Sequence, residues 1–140
     1  MKKDDPAAWG HTLAHEEKVR DIAICGVGES DHTRASGRNA VEIGAQAVER
    51  ALTDAGIEPE DVDGLMCARG IGPQFDVDAF HAHFGTKHDI WLSHEGGGMA
   101  WAATAPSAAA RAISEGRAST VVNVFSVAWA SERGTGNAGA

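Results

Sequence analysis

His88 to Val127 reads HDIWLSHEGGGMAWAATAPSAAARAISEGRASTVVNVFSV. It is parsed as a short strand over Asp89–Ser93, a triple glycine, a long helix of small residues over 97–115, and a buried strand from Ser119 to Val127. Gly116 is placed to stop the helix in a left-handed turn. The run STVVNVFSV is almost continuously apolar, the pattern of a central parallel strand rather than of an alternating, half-wetted one. The helix is small or apolar nearly all round, which predicts burial on most of its sides. Pro106 lies in its interior and is expected to kink or interrupt it.

Working outward, the segment before this unit repeats its logic. Asn39 can cap a helix, with Glu42 as the reciprocal partner three residues on. Ala40, Ile43, Gly44, Ala47, Val48, Ala51, Leu52 and Ala55 then recur at helical spacing, and Gly56 supplies the stop. Glu58-Pro59-Glu60-Asp61 makes a turn into a strand over Val62–Ala68. Upstream, VRDIAICGV over 19–27 is rich in β-branched and small apolar residues and predicts a further buried strand. A short helix is expected over 76–84. The order βαβ(α)βαβ defines an α/β layer with a mostly parallel sheet. A helix as apolar as 97–115 suits a position between two sheets, so the chain is expected to be incomplete or to need a partner.

Composition bounds the function. The chain has 140 residues, a formal net charge of −8 and 43% hydrophobic residues, enough for one modest core. The acidic balance argues against a general nucleic-acid binder, which needs a basic face. No apolar run approaches the roughly 20 residues of a bilayer span, and no signal-like core follows the charged start, which points to a cytoplasmic protein. Cys25 and Cys67 lack CxxC spacing and suit reduced thiols. Residues 1–18 read as a flexible arm, 19–130 as the folded domain, and 131–140 as a Gly/Ser/Ala-rich tail.

Four groups could carry chemistry. Gly26-x-Gly28-x-x-Asp31 after a strand has two glycines of a dinucleotide fingerprint. The third is missing, and a polar loop separates it from its helix, so a tight turn explains it better. His81, His83, His88 and His94 invite a metal reading, but His81 and His83 point to different faces of a helix and no carboxylate or cysteine completes a set; no metal is expected. Cys67 ends its strand and would be a nucleophile only if a base or helix terminus lowered its pKa; a buried structural thiol is the alternative. The turn Ser93, His94, Glu95, Gly96, Gly97, Gly98 and Met99 precedes the long helix, whose free N–H groups suit an oxyanion. Three glycines admit a substrate close to the backbone. His94 could act in acid–base chemistry, with Ser93 a weaker nucleophile. The same turn could equally serve only to pack helix against sheet.

The stretches IAICGVGESDHTR (22–34), GRNAVEIGAQAVERALTDAGIEPEDVDGL (37–65) and AARAISEGRASTVVNVFSV (109–127) together resemble the N-terminal domain of the thiolase superfamily. Within it, the chain is most similar to sterol-carrier-protein-x-type thiolases and to lipid-transfer (steroid side-chain) aldolases. The resemblance covers about residues 20–130, and ALxDAGIxPxDVDGL over 51–65 is its most specific part. It implies a five-layer αβαβα fold of two similar halves, usually paired into dimers, with the long helix lying between the sheets. It implies a CoA thioester of a lipid or sterol side chain as substrate and no bound cofactor. The family's nucleophilic cysteine falls near Gly96 or Met99, and neither position is cysteine. Its remaining catalytic groups, a histidine in an Asn-bearing loop and a second histidine or cysteine, come from a C-terminal half not included here. Relatives without the cysteine include steroid side-chain aldolases, which work with an OB-fold and zinc-ribbon partner protein. Two expectations follow: a fragment or subunit of a thiolase-like acyl-CoA acyltransferase or retro-aldolase, or a non-catalytic scaffold subunit of such a complex.

Overall fold

The computed structural model describes residues 22–32, 34–69, 72–95 and 98–129. The arm at 1–18 and the tail at 131–140 lie outside the described residues. In chain order the elements are α1 (Ala40–Ala55), a 3-10 turn (Pro59–Asp61), β1 (Gly64–Cys67), α2 (Val77–Phe84), β2 (Trp91–Ser93), α3 (Gly98–Ser114) and β3 (Val121–Val124). The strands form a parallel sheet in the order β2-β1-β3, so the protein is α/β as its alternating pattern requires.

Local chemistry sets the helix ends. Asn39 Oδ1 accepts from the Glu42 N–H while the Glu42 carboxylate accepts from the Asn39 N–H, closing the capping box. Gly56 then takes φ 65°, a conformation other residues enter at a cost, and its N–H satisfies the last carbonyls of α1. Asp76 caps α2 by accepting from the Ala79 N–H, 3.0 Å away. The helical run of α3 continues through Pro106 without interruption.

β1 is the spine. All four of its residues are buried, because it has a strand on each side and helices on both faces. Its side chains alternate between faces. Leu65 and Cys67 enter the larger core with Val48 and Leu52 of α1, Phe75, Phe80 of α2, and Val122 and Val124 of β3. Met66 points the other way, into a smaller cluster with Ala105 and Ala108 of α3. Phe80 anchors an aromatic group, its ring 4.7 Å from Phe84 and 6.3 Å from Phe75. Each such fully buried side chain stabilises the fold by about 1.5–3 kcal/mol relative to an exposed position.

The entrance to β1 is stitched to both neighbours. The Asp63 C=O accepts from the Trp91 N–H at 2.9 Å, while the Asp63 and Gly64 N–H groups donate to the Thr120 C=O at 3.2 and 3.1 Å. The Asp63 carboxylate accepts from the Ser119 N–H, the Ser119 hydroxyl and the Thr120 N–H at 2.7–3.0 Å. Burial alone would raise this carboxyl, but the bonds from Thr120 and Ser119 outweigh it and hold it below its ordinary range. Gly64 follows because a Cβ there would stand 2.9 Å from Val121 Cγ2 and 3.0 Å from Ala118 Cβ.

Two expectations are corrected. The buried strand expected over 19–27 is not formed in its described part, 22–27; Ile24 is 83% exposed, and Cys25 and Val27 are also exposed. The segment lies instead across α1, whose backbone Gly26 and Gly28 approach at Ala47 and Ala51. Its Val27 N–H donates to Asp54, and Arg50 and Gln46 bind Glu29 and Asp31. From Thr104 onward the long helix is also less buried than expected. Ala105, Ala108, Ala110 and Ala112 are buried, whereas Thr104, Pro106, Ser107 and Arg111 are exposed. Small side chains read as interior in composition, yet each presents little apolar surface where it is exposed.

Candidate functional site

Parallel strands align their carboxyl ends at one edge of a sheet, where open α/β folds collect their ligand sites. Here β1 and β2 pair with Met66 opposite Ser93. The next residue of each chain is Cys67 and His94, and these meet: Cys67 Sγ lies 3.5 Å from His94 Nδ1, within hydrogen-bonding range for sulfur. Cys67 is 2% exposed and free of any disulfide, and His94 is half-buried.

The electrostatics at this pair oppose thiolate chemistry. Burial pushes the Cys67 thiol up from its ordinary value, and the negative charge of Asp76 at the start of α2 adds to the shift. The thiol is therefore held protonated at neutral pH. A base stands beside it, yet the condition for nucleophilic activation, a lowered pKa, is reversed.

Ser93 is also accounted for. Its side chain is buried, and its Oγ accepts from the Glu95 N–H at 3.2 Å. That contact shapes the chain as it leaves β2. Glu95 is exposed. Gly96 and Gly97 lie outside the described residues; Gly98 and Met99 open α3. His94 is thus the titratable side chain of this turn that is both half-buried and held by a neighbour.

The other sequence candidates separate. His81 Nδ1 is 2.7 Å from Thr86 Oγ1, and His88 Nε2 donates to the Val62 C=O at 2.6 Å. The two rings pack edge to face at 5.6 Å, tying α2 to the approach to β2. His83 faces Glu49 of α1 at 3.4 Å. The four histidines therefore have four different partners. Among the described residues no group of three or more His, Cys, Asp or Glu side chains could hold a metal ion. Gly26 and Gly28 serve packing: a Cβ on Gly26 would strike the Ala51 carbonyl, and one on Gly28 the Ala47 carbonyl and Ala51 nitrogen. Their missing side chains admit a helix backbone, not a pyrophosphate.

Between residues 22–28, α1, α3 and β3 runs a mostly apolar groove of about 440 Å³, edged by Ala51, Pro106, Ile113 and Val122. No helix among the described residues is long and apolar enough to cross a membrane.

Sequence reasoning had weighed Cys67 and His94 separately and missed their pairing. The signal was present: each stands at the carboxyl end of its strand, and laying those strands side by side in parallel puts them together.

No protein-family model matches the chain. Over 100 residues it is 38% identical to 17-hydroxy-3-oxo-4-pregnene-20-carboxyl-CoA lyase of Mycobacterium tuberculosis, a match covering 71% of this chain and 25% of that protein. It is 46% identical over 44 residues to a steroid side-chain-cleaving aldolase of Thermomonospora curvata, covering 31% of this chain and 11% of that one. Among solved structures it is similar to the Ltp2-ChsH2(DUF35) aldolase, with a TM-score of 0.61, 33% identity, and coverage of 72% of this chain and 26% of that chain. The chain spans about a quarter or less of the length of each of these relatives.

Proposed function

We propose that this chain supplies part of a thiolase-like aldolase that cleaves the side chain of a steroid or lipid CoA thioester. The observation that carries the reading is the 38% identity over 100 residues to a steroid-carboxyl-CoA lyase, which runs alongside the structural likeness to a solved aldolase. In such a reaction the Cα–Cβ bond of a β-hydroxyacyl-CoA breaks. The hydroxyl proton is taken up by a base, the β-carbon becomes a carbonyl, and the α-carbon leaves as the enolate of a shorter acyl-CoA, which is then protonated.

The residues of this chain suit binding and charge stabilisation rather than covalent attack. No cysteine stands at the start of α3, and the nearby thiol of Cys67 is held protonated. His94, at the carboxyl edge of the sheet, is the group this chain would offer to the thioester oxygen as charge builds on it. The likeness to an Ltp2-ChsH2(DUF35) aldolase supports a second protein in the active assembly; the family resemblance implies that it is of the OB-fold and zinc-ribbon kind.

A second reading, a non-catalytic subunit of the same kind of complex, draws on the exposed Ile24, Val27, Phe125 and Trp129, which suit contact with another chain. One assay separates the two. The protein, purified with any partner it retains, is given a β-hydroxyacyl-CoA with a steroid side chain and no free CoA. Release of a shorter acyl-CoA that falls at least tenfold in His94→Ala supports the aldolase reading. Strict dependence on free CoA would sink it. Turnover indifferent to His94 would favour the scaffold reading.

A further inference from the structure

We propose that Cys67 is a positioning residue that sets the tautomer of His94: its S–H donates to Nδ1, so the imidazole proton is kept on Nε2. The pairing is fixed by the fold. Both residues leave adjacent, register-locked parallel strands, and Sγ and Nδ1 stand 3.5 Å apart. Cys67 is packed among Leu65, Val48 and Phe75 in the larger core, which leaves its side chain little freedom to turn away.

Two arrangements could fill this contact: S–H to the Nδ1 lone pair, or Nδ1–H to sulfur. Thiol sulfur is a weak acceptor, and the unprotonated imidazole nitrogen a good one. The second arrangement would gain strength only with a thiolate, and burial together with Asp76 keeps the thiol protonated. The first is therefore favoured. Its consequence is directional: neutral His94 presents an N–H donor at Nε2 rather than a basic lone pair. Among the described residues Nε2 has no hydrogen-bond partner, so the donor is available to a ligand oxygen. This gives the ring a defined part in the aldolase reading, on which the catalytic half of the inference rests: it would bind the thioester oxygen and its enolate, and leave deprotonation of the hydroxyl to another group.

The test reads the tautomer directly. In the full chain with 15N-labelled histidine, His94 is assigned by loss of its signals in His94→Gln, and the nitrogen carrying the proton is read at neutral pH. Wild type is expected to carry it on Nε2. Cys67→Ser, which keeps a donor, should preserve that state. Cys67→Ala should give a mixture of tautomers and lower kcat for acyl-CoA cleavage roughly tenfold with little change in KM. A proton on Nδ1 in wild type, or an unmixed Nε2–H state in a folded Cys67→Ala, overturns the proposal. Should Cys67→Ala not fold, the wild-type and Cys67→Ser spectra still decide it. Loss of the aldolase activity from the wild type would count against the functional reading alone, because the tautomer is measured without substrate.

Discussion

Replacing Asp63 with alanine should destabilise the protein by about 2–3 kcal/mol at pH 7, and the loss should shrink in acid. The carboxylate accepts from three donors, the Ser119 N–H, the Ser119 hydroxyl and the Thr120 N–H. The two on Ser119 are exposed enough for water to replace the lost acceptor, at a cost of roughly 0.5 kcal/mol each. The Thr120 N–H is partly buried, and stranding it costs about 1–2 kcal/mol more. The sign of the pH effect follows from the lowered carboxyl. A group more acidic in the folded chain contributes fully above its unfolded value, about 3.9, and that contribution fades as pH falls through the folded value. Urea unfolding followed by tryptophan fluorescence at pH 7 and pH 3 measures both. A difference between wild type and Asp63→Ala below about 0.5 kcal/mol at pH 7, or one that is undiminished at pH 3, would refute the reasoning.

Other outcomes follow from the same structure. Gly28→Ala drives a methyl group into the Ala47 carbonyl and the Ala51 nitrogen, so residues 22–32 should lift from α1; limited proteolysis should cut there at least several-fold faster, with global stability falling by about 1–3 kcal/mol. Asn39→Ala removes the acceptor of the capping box and should cost about 1 kcal/mol in urea unfolding, with Asn39→Asp close to neutral. Iodoacetamide should modify the exposed Cys25 promptly and Cys67 only as the protein opens; equal rates for the two thiols in the native state would contradict the burial of the Cys67–His94 pair.

What could be read from the chain depended on how local the information was. α1 was legible to its ends because Asn39, Glu42 and Gly56 act within a few residues of the bonds they make. β1, β2 and β3 were legible as strands because each lies in a short apolar run, although only β1 is buried throughout; Leu92 of β2 and Asn123 of β3 are exposed. The segment at 22–27 has the same composition, but its place across α1 is set by contacts with Ala51 and Asp54, more than twenty residues away, and local sequence does not carry those. The small residues of α3 misled in a related way, since alanine is cheap to expose and cheap to bury. The Cys67–His94 contact spans 27 residues and exists only through strand register. The 51–65 stretch that carried the thiolase resemblance turns out to have structural reasons for being what it is: Gly56 ends α1, Asp63 fastens β1, and Gly64 fits between its neighbours.

The fastening at Asp63 also bears on how the chain reaches its fold. The carboxylate and its donors are 56 and 57 residues apart, and β1, the central strand, takes both of its neighbours from sequence that comes after it. α1 can form early from its own caps, but β1 must wait, with both edges bare, until β2 and then β3 arrive. Closing loops of that length before any sheet hydrogen bond rewards them places the folding barrier late in the chain and exposes Leu65 and Met66 in the interval. Val122→Ala in β3 should therefore slow refolding by a larger share of its effect on stability than Asn39→Ala does at the head of α1, and equal shares in stopped-flow experiments would remove the argument. A bond pattern that gives the finished sheet its firmness thus makes the unfinished one the vulnerable stage of this protein's life.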